Sequence, residues 1–307
     1  MPDLFDVDDL WPDDYERVLE LATSDTVGQV LGGLGVALVF EKPSARTRNS
    51  SEMAVFGLGG HPVYIAGTEV GLDTRESAED IARTLGCYHR ILCARVFDHE
   101  VLVRMAFALE SSGFDVPVIN LLSDQAHPCQ AIADVLTLRE LRGPLAGQVL
   151  AYVGDANNMC RSLVKAALME GMDVRVASPP GYSFSAGEQA RLTALSAQVG
   201  RGGTLRVTHD PEVAAGGADA LYTDVWTSMG QEVEKADRMA AFAGFTVDDA
   251  LLDVAEPDVV VLHCLPAHRG EEIADSVLEG PHSVVWRQAA HRRTAMRGIL
   301  AWAVEGA

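Results

Sequence analysis

The sequence predicts an α/β protein: two doubly wound parallel-sheet domains joined by a bridging helix, with a C-terminal helix packing back on the first domain. Three observations lead there. Short, continuous apolar runs rich in Val, Ile and Leu alternate with longer stretches of helical period, as in parallel strands covered on both faces by crossover helices. At 307 residues the chain is too long for one ordinary hydrophobic core. A Gly- and Pro-bearing break, "RGPLAGQ" at Arg142–Gln148, separates a long helical stretch from a fresh strand. The expected segments are 1–142, 143–284 and 285–307.

In chain order the strand candidates of the first half are "GVALVF", "HPVYI", "RILCARV" and "DVPVINLL". Those of the second half are "QVLAYVGD", "DVRVAS", "TLRVT", "ADALYTDVW" and "PDVVVLHCLP". Helices are expected at "SAEDIARTLGCY", "VLVRMAFALESSG", "QAIADVLTLRELR", "CRSLVKAALMEGM" and "QAAHRRTAMRGILAWAVE". Of these, the stretch Gln130–Leu141 is the expected bridge.

The composition narrows the function. A net charge of −20 repels polyanions and argues against nucleic acid, and lysine is confined to Lys42, Lys165 and Lys235. No apolar run is long enough for a bilayer and the first residues are acidic where a secretory leader is basic, so a soluble, cytoplasmic protein with no membrane partner is expected. The five cysteines, Cys87, Cys93, Cys129, Cys160 and Cys264, form no C-x-x-C pair, which fits a reduced chain without a structural zinc site.

Open α/β sheets bind ligands beyond the carboxyl ends of their strands, so the residues after each strand were read for chemistry. "KPSARTRNS" follows the first strand. Ser44 can cap a helix whose N-terminal amides attract anions, and Arg46 adds a planar fork suited to phosphate; a capped helix with exposed arginines is the other reading. Arg95 ends the third strand. "HPCQ" places His127 and Gln130 at a helix start, able to hydrogen-bond a carbonyl oxygen and an amide, or merely to cap. "DVWTSMG" offers the carboxylate of Asp224 for an ammonium. In "HCLP", neighbouring residues of a strand face opposite ways, so His263 is badly placed to activate Cys264 as a nucleophile.

Taken together, "F-x-K-x-S-x-R-T-R", "R-x-F-x-H", "H-P-x-Q", "G-D-x-N-N", "D-x-W-x-S-M-G" and "H-C-L-P" resemble, in order and over nearly the whole chain, the ornithine carbamoyltransferases. The "SMG" and "HCLP" pair is the specific part, since aspartate carbamoyltransferases share only the phosphate-seat pattern. The resemblance implies a carbamoyl phosphate-binding first domain, an ornithine-binding second domain, no cofactor, a homotrimer with sites near subunit interfaces, and a role in arginine biosynthesis. It implies carbamoyl phosphate contacts from Ser44, Ala45, Arg46, Thr47, Arg95, His127, Gln130, Cys264, Leu265 and Arg292. Among these Arg46, His127, Cys264 and Arg292 are the implied catalytic residues, while Asn158, Asp224, Ser228 and Met229 are the implied ornithine contacts.

Three departures stand out against that pattern: Ala45 where Thr is common, Gly71 in the loop Gly67–Ser77 where a Gln is frequent, and Ala290–His291 before Arg292 in place of Glu–Asn. Other acceptors (putrescine, lysine, an N-acylated ornithine) and a catalytically silent paralogue remain alternatives. A dehydrogenase does not, because "YVGDANN" lacks the G-x-G-x-x-G that dinucleotides require.

Overall fold

Residues 2–227 and 232–305 are described by a computed structural model. All its sheet pairings between named strands are parallel, and its contacts divide the chain into two units, 1–136 with 290–307, and 137–289.

The first unit contains β1 (Gly35–Phe40), β2 (His61–Ala66), β3 (Ile91–Arg95) and β4 (Val118–Leu122), in the sheet order β2-β1-β3-β4. Its helices are α1 (Pro12–Thr23), α2 (Ala45–Gly57), the single turn α3 (Gly67–Val70), α4 (Ala78–Gly86) and α5 (Glu100–Ser111). The central strands are unbroken apolar runs because helices cover both faces: Val36, Ala37, Leu38 and Val39 of β1 and Ile91, Leu92 and Cys93 of β3 are fully buried. Each Val, Leu or Ile so buried contributes about 1.5–3 kcal/mol. The free side of β4 is covered by the chain's beginning, where Leu4 exchanges backbone hydrogen bonds with Val118 and Asn120 at 3.0 and 2.8 Å.

Helix α6 (Pro128–Arg142) carries the chain across the division between the units. It starts with Pro at its first position, two residues before the predicted start, as proline's missing N–H allows. The second unit holds β5 (Val149–Val153), β6 (Asp173–Ala177), β7 (Thr204–Thr208), β8 (Ala220–Thr223) and β9 (Val260–His263), in the order β7-β6-β5-β8-β9. Around it lie α7 (Asn158–Met169), α8 (Ala186–Val199), α9 (Pro211–Ala215), α10 (Lys235–Ala241), α11 (Asp249–Asp253) and α12 (Asp275–Leu278). All nine predicted apolar runs contain a strand. The sequence reading passed over α8, which buries only Leu192 and Ser196 and so leaves little periodic signal. Among the described residues no helix is long and apolar enough to cross a membrane.

Helix α13 (Val285–Glu305) ends the described chain, and from Ala290 onward it belongs to the first unit. There it lies against α1. Arg297 donates to the carbonyls of Ala22 and Ser24 at 2.6 and 2.8 Å, serving the orphan acceptors at the end of α1, and Trp302 Nε1 donates to Asp14 Oδ1 at 3.0 Å. Gly298 sets the spacing: a Cβ there would sit 2.8 Å from both the Cβ and the amide nitrogen of Ala22. Gly298→Ala gains up to about 1 kcal/mol of helix propensity but drives the two backbones apart, an overpacking cost of about 1–3 kcal/mol. We expect a lower urea midpoint for Gly298→Ala than for the wild type, since the clash outweighs the propensity.

Candidate active site

In each sheet the strand order reverses direction at one point, and ligand crevices of open α/β sheets open there. In the first unit this point lies between β1 and β3, whose ends meet as the Glu41 amide donates to the Arg95 carbonyl at 2.9 Å. The loop after β1 turns into α2 at Ser44, whose Oγ accepts from the Thr47 amide at 3.3 Å and so caps the helix as predicted. Ala45 is the first helical residue and supplies only backbone.

Thr47 is the hub of this rim. It is 2 % exposed, and its Oγ1 accepts from Arg95 Nη1 and from Arg292 Nη2, each at 3.3 Å. Both arginines are buried. Arg292 also donates to the Gln130 Oε1 oxygen, and Gln130 Nε2 donates to the buried Asp134 at 2.7 Å. His127 lies within 3.4 Å of Arg292. Burial first, then the charges of Arg292, Arg95 and Arg46, push the His127 imidazolium pKa well below the ordinary value, so the ring is neutral at physiological pH. Arg46 is exposed at the mouth of this cluster. Arg48, two positions on, faces away: it pairs with Glu52 at 2.8 Å and stacks over Tyr64 at 3.8 Å.

In the second unit the reversal lies between β5 and β8, zipped where Thr223 Oγ1 donates to the Val153 carbonyl at 2.7 Å. Asp224, just beyond β8, is 6 % exposed. Its Oδ1 accepts from the Val225 amide at 2.8 Å and the Cys264 thiol at 2.6 Å, and its Oδ2 accepts from Asn157 Nδ2 at 3.2 Å. Asn157 was not singled out from the sequence; its neighbour Asn158, which was, is half-buried as the first residue of α7. The overlooked signal was the capping rule: Asn157 Oδ1 accepts from the amides of Met159 and Cys160, which leaves its NH₂ aimed at Asp224.

His263 is committed elsewhere, in line with its predicted inability to activate Cys264. Its Nδ1 accepts from the Leu265 amide at 2.8 Å, leaving Nε2 to donate to the fully buried Glu272 at 3.1 Å. Leu265, held at φ 58° in the left-handed region, completes this strand end. The partner Glu272, nine residues further along, could not be read from the motif. Ser228 and Met229 lie outside the described residues. The turn leading to them is anchored by Arg238, which donates to Asp155 at 2.7 Å and to the Trp226 carbonyl at 2.9 Å. The Gly71 departure has a geometric cause: its φ is 67° and a Cβ there would lie 2.6 Å from that of Arg75, so a Gln does not fit this turn.

A buried anion-attracting cluster in one unit and a buried carboxylate in the other agree with the comparisons. Residues 3–140 match the aspartate/ornithine carbamoyltransferase carbamoyl-P binding domain, and residues 146–303 match the Asp/Orn binding domain of the same group. The chain belongs to the aspartate/ornithine carbamoyltransferase family. It is 48 % identical over 305 residues to an ornithine carbamoyltransferase of Acidothermus cellulolyticus, covering 98 % of this chain and 96 % of that one. The crystal structure of ornithine carbamoyltransferase from Thermus thermophilus superposes with a TM-score of 0.87 at 41 % identity, covering 99 % of both chains. That of ornithine carbamoyltransferase from Pyrococcus furiosus gives 0.92 at 40 %, covering 99 % of this chain and 97 % of that one.

Two expectations follow from the geometry of this family member. Because the folded-state pKa of His127 is depressed, the unfolded chain takes up a proton first as pH falls through about 6.5. Stability is thus lost below that pH, by at most about 1.4 kcal/mol per unit. Urea midpoints should show the wild type losing ground to His127→Gln between about pH 7 and 5; a constant difference would contradict the buried neutral ring. Removing Arg238 strands the half-buried Asp155 carboxylate, whose pKa desolvation already raises. Arg238→Met should cost about 3 kcal/mol in the same measurement, and adding Asp155→Asn should restore part of it.

Proposed function

We propose that the protein is an ornithine carbamoyltransferase, joining carbamoyl phosphate and L-ornithine to give L-citrulline and phosphate. The observation that carries this reading is the gathering of Arg46, Arg95 and Arg292 around Thr47 and His127 at the capped start of α2. In a chain of net charge −20, three arginines gathered at a capped helix start favour an anion there. The amides of Ala45, Arg46 and Thr47 and the three guanidiniums would hold the phosphate, with Ser44 keeping the helix start in shape. His127, neutral, and Gln130 would hydrogen-bond the carbamoyl oxygen and amide.

The second unit would take the amino acid. Asp224, held by Asn157 and Cys264, is a fixed carboxylate for the α-ammonium, with Asn158, Ser228 and Met229 assigned to the same substrate. Cys264 and the Leu265 carbonyl would read the carbamoyl group without covalent attack, since His263 is bound to Glu272 and does not serve as a base.

The reaction is a direct displacement in a ternary complex. The δ-amine, having shed its ammonium proton, attacks the carbonyl carbon through its lone pair; the bond from that carbon to the phosphate oxygen then breaks, its electron pair leaves on phosphate, and the departing phosphate takes the proton that the attacking nitrogen gives up. Arg46, Arg95 and Arg292 stabilise the charge that develops there, and fixing both substrates supplies much of the rate. Ornithine is favoured over putrescine and N-acylated ornithine because Asp224 offers a charge to a free α-ammonium, which neither rival has.

Citrulline formation measured over ornithine, putrescine, lysine and N-acetylornithine tests this reading. Ornithine should be strongly preferred, and Arg46→Ala should lose at least about a hundredfold in kcat/KM. Full activity in that variant would remove Arg46 from the phosphate seat; a preference for putrescine would overturn the role of Asp224; and binding of both ligands without turnover would mark a silent paralogue.

A further inference from the structure

Beyond the "HCLP" segment the chain makes a tight turn in which His268, Glu271 and Glu272 converge. Backbone hydrogen bonds fix it: the Glu271 amide donates to the His268 carbonyl and the Gly270 amide to the Ile273 carbonyl, both at 2.9 Å. Glu272 is fully buried, and its two oxygens are unlike. Oε1 accepts from His263 Nε2 at 3.1 Å and from the His268 amide. Oε2 is also buried yet has no hydrogen-bond donor among the described residues, and the same holds for His268 Nδ1.

A buried carboxylate oxygen lacking a donor is costly and asks for a cation. His268 Nδ1 lies 3.8 Å from Glu272 Oε2 and 3.7 Å from Glu271 Oε2, and the three ligand atoms fall within 4.8 Å of one another. Bonds of 2.0–2.2 Å to a tetrahedral zinc ion separate ligands by about 3.3–3.5 Å, so His268 Nδ1 has only a few tenths of an ångström to close toward each glutamate, and the two carboxylate oxygens, within 4.8 Å of each other, close the rest by side-chain rotation.

We infer that His268, Glu271 and Glu272 form a binding site for a divalent transition metal of the zinc class, distinct from the substrate seats and independent of the proposed reaction. Imidazole with two carboxylates suits such ions, and the outward-facing His268 and Glu271 leave the remaining position to water. The surrounding charges permit it. Lys235 holds Glu271 by Oε1 at 2.8 Å, which orients Oε2 toward the other ligands, and Arg269 is engaged by Asp275 and Glu279. Without metal the trio and Lys235 carry a net negative charge when His268 is neutral. A metal on Glu272 would also tie this turn, through the other oxygen, to His263 at the end of β9.

The competing occupant is a proton on His268, making an ion pair with the two glutamates. A second possible metal cluster, Asp224, His263 and Cys264, includes a thiol, and this permits a clean separation. The full-length protein, stripped with chelator, is titrated with Co²⁺ and followed by visible absorption, then with Zn²⁺ by calorimetry. We expect one ion per chain in a nitrogen–oxygen environment, without the thiolate-to-cobalt charge-transfer band of a sulfur ligand. His268→Gln and Glu271→Gln, which alter partly exposed side chains, should each weaken affinity at least about tenfold, while Cys264→Ser should leave it unchanged. Absence of binding, a sulfur charge-transfer band, or undiminished affinity in His268→Gln would each overturn the assignment.

Discussion

The governing constraint is mutual repulsion among cations. Arg95 and Arg292 share the hydroxyl of Thr47 in a buried setting, with Arg46 near enough to act on His127. Among the groups that hold them are neutral ones, the Thr47 hydroxyl oxygen for both and the amide oxygen of Gln130 for Arg292. Asp134 stands behind Gln130, accepting from its Nε2 at 2.7 Å. Gln130, itself neutral, links Arg292 to the buried Asp134 and so fixes the guanidinium in place.

This explains how much of the surrounding structure is rigid. Helix α6 buries Ala131, Ile132, Ala133, Val135, Leu136 and Leu138, so Gln130 and Asp134, one turn apart, have little freedom. The β1 and β3 ends are locked edge to edge, which fixes Thr47 against Arg95. The second unit repeats the logic with opposite sign. There a buried carboxylate, Asp224, is fixed by donors from the loop after β5 and the loop after β9, again at the strand-order reversal. Two sheets of different size arrive at the same placement because a reversal point is where adjacent strand-end loops diverge and leave room.

The strands were readable because burial on both faces demands continuous apolar runs, and the strand-end residues were readable because parallel sheets put every carboxyl end on one rim. Legibility failed where a contact depends on a helix's exact phase or on distant chain. Arg46 and Arg48 look equivalent in "SARTR", yet two positions on a helix is more than half a turn, so one meets His127's field and the other Tyr64. Asn157 and Asn158 differ by the single step from cap to first turn. Glu272 was invisible as the partner of His263 because a loop of unpredictable path separates them. Asp134 carries no motif of its own, and only the burial of the helix around it shows what it does.

Arg292 reaches Thr47 across 245 positions of sequence, on a helix whose C-terminal part joins the unit that opens the chain. During synthesis the first unit's sheet can therefore assemble early, but with one of its arginines and the packing partner of α1 still unmade. The cluster around Thr47 is complete only once Arg292 on α13 has joined it. A chain interrupted before α13 would hold the strands of this sheet but lack Arg292 and the helix that packs on α1, so stretches far apart in sequence have to meet before the unit is whole.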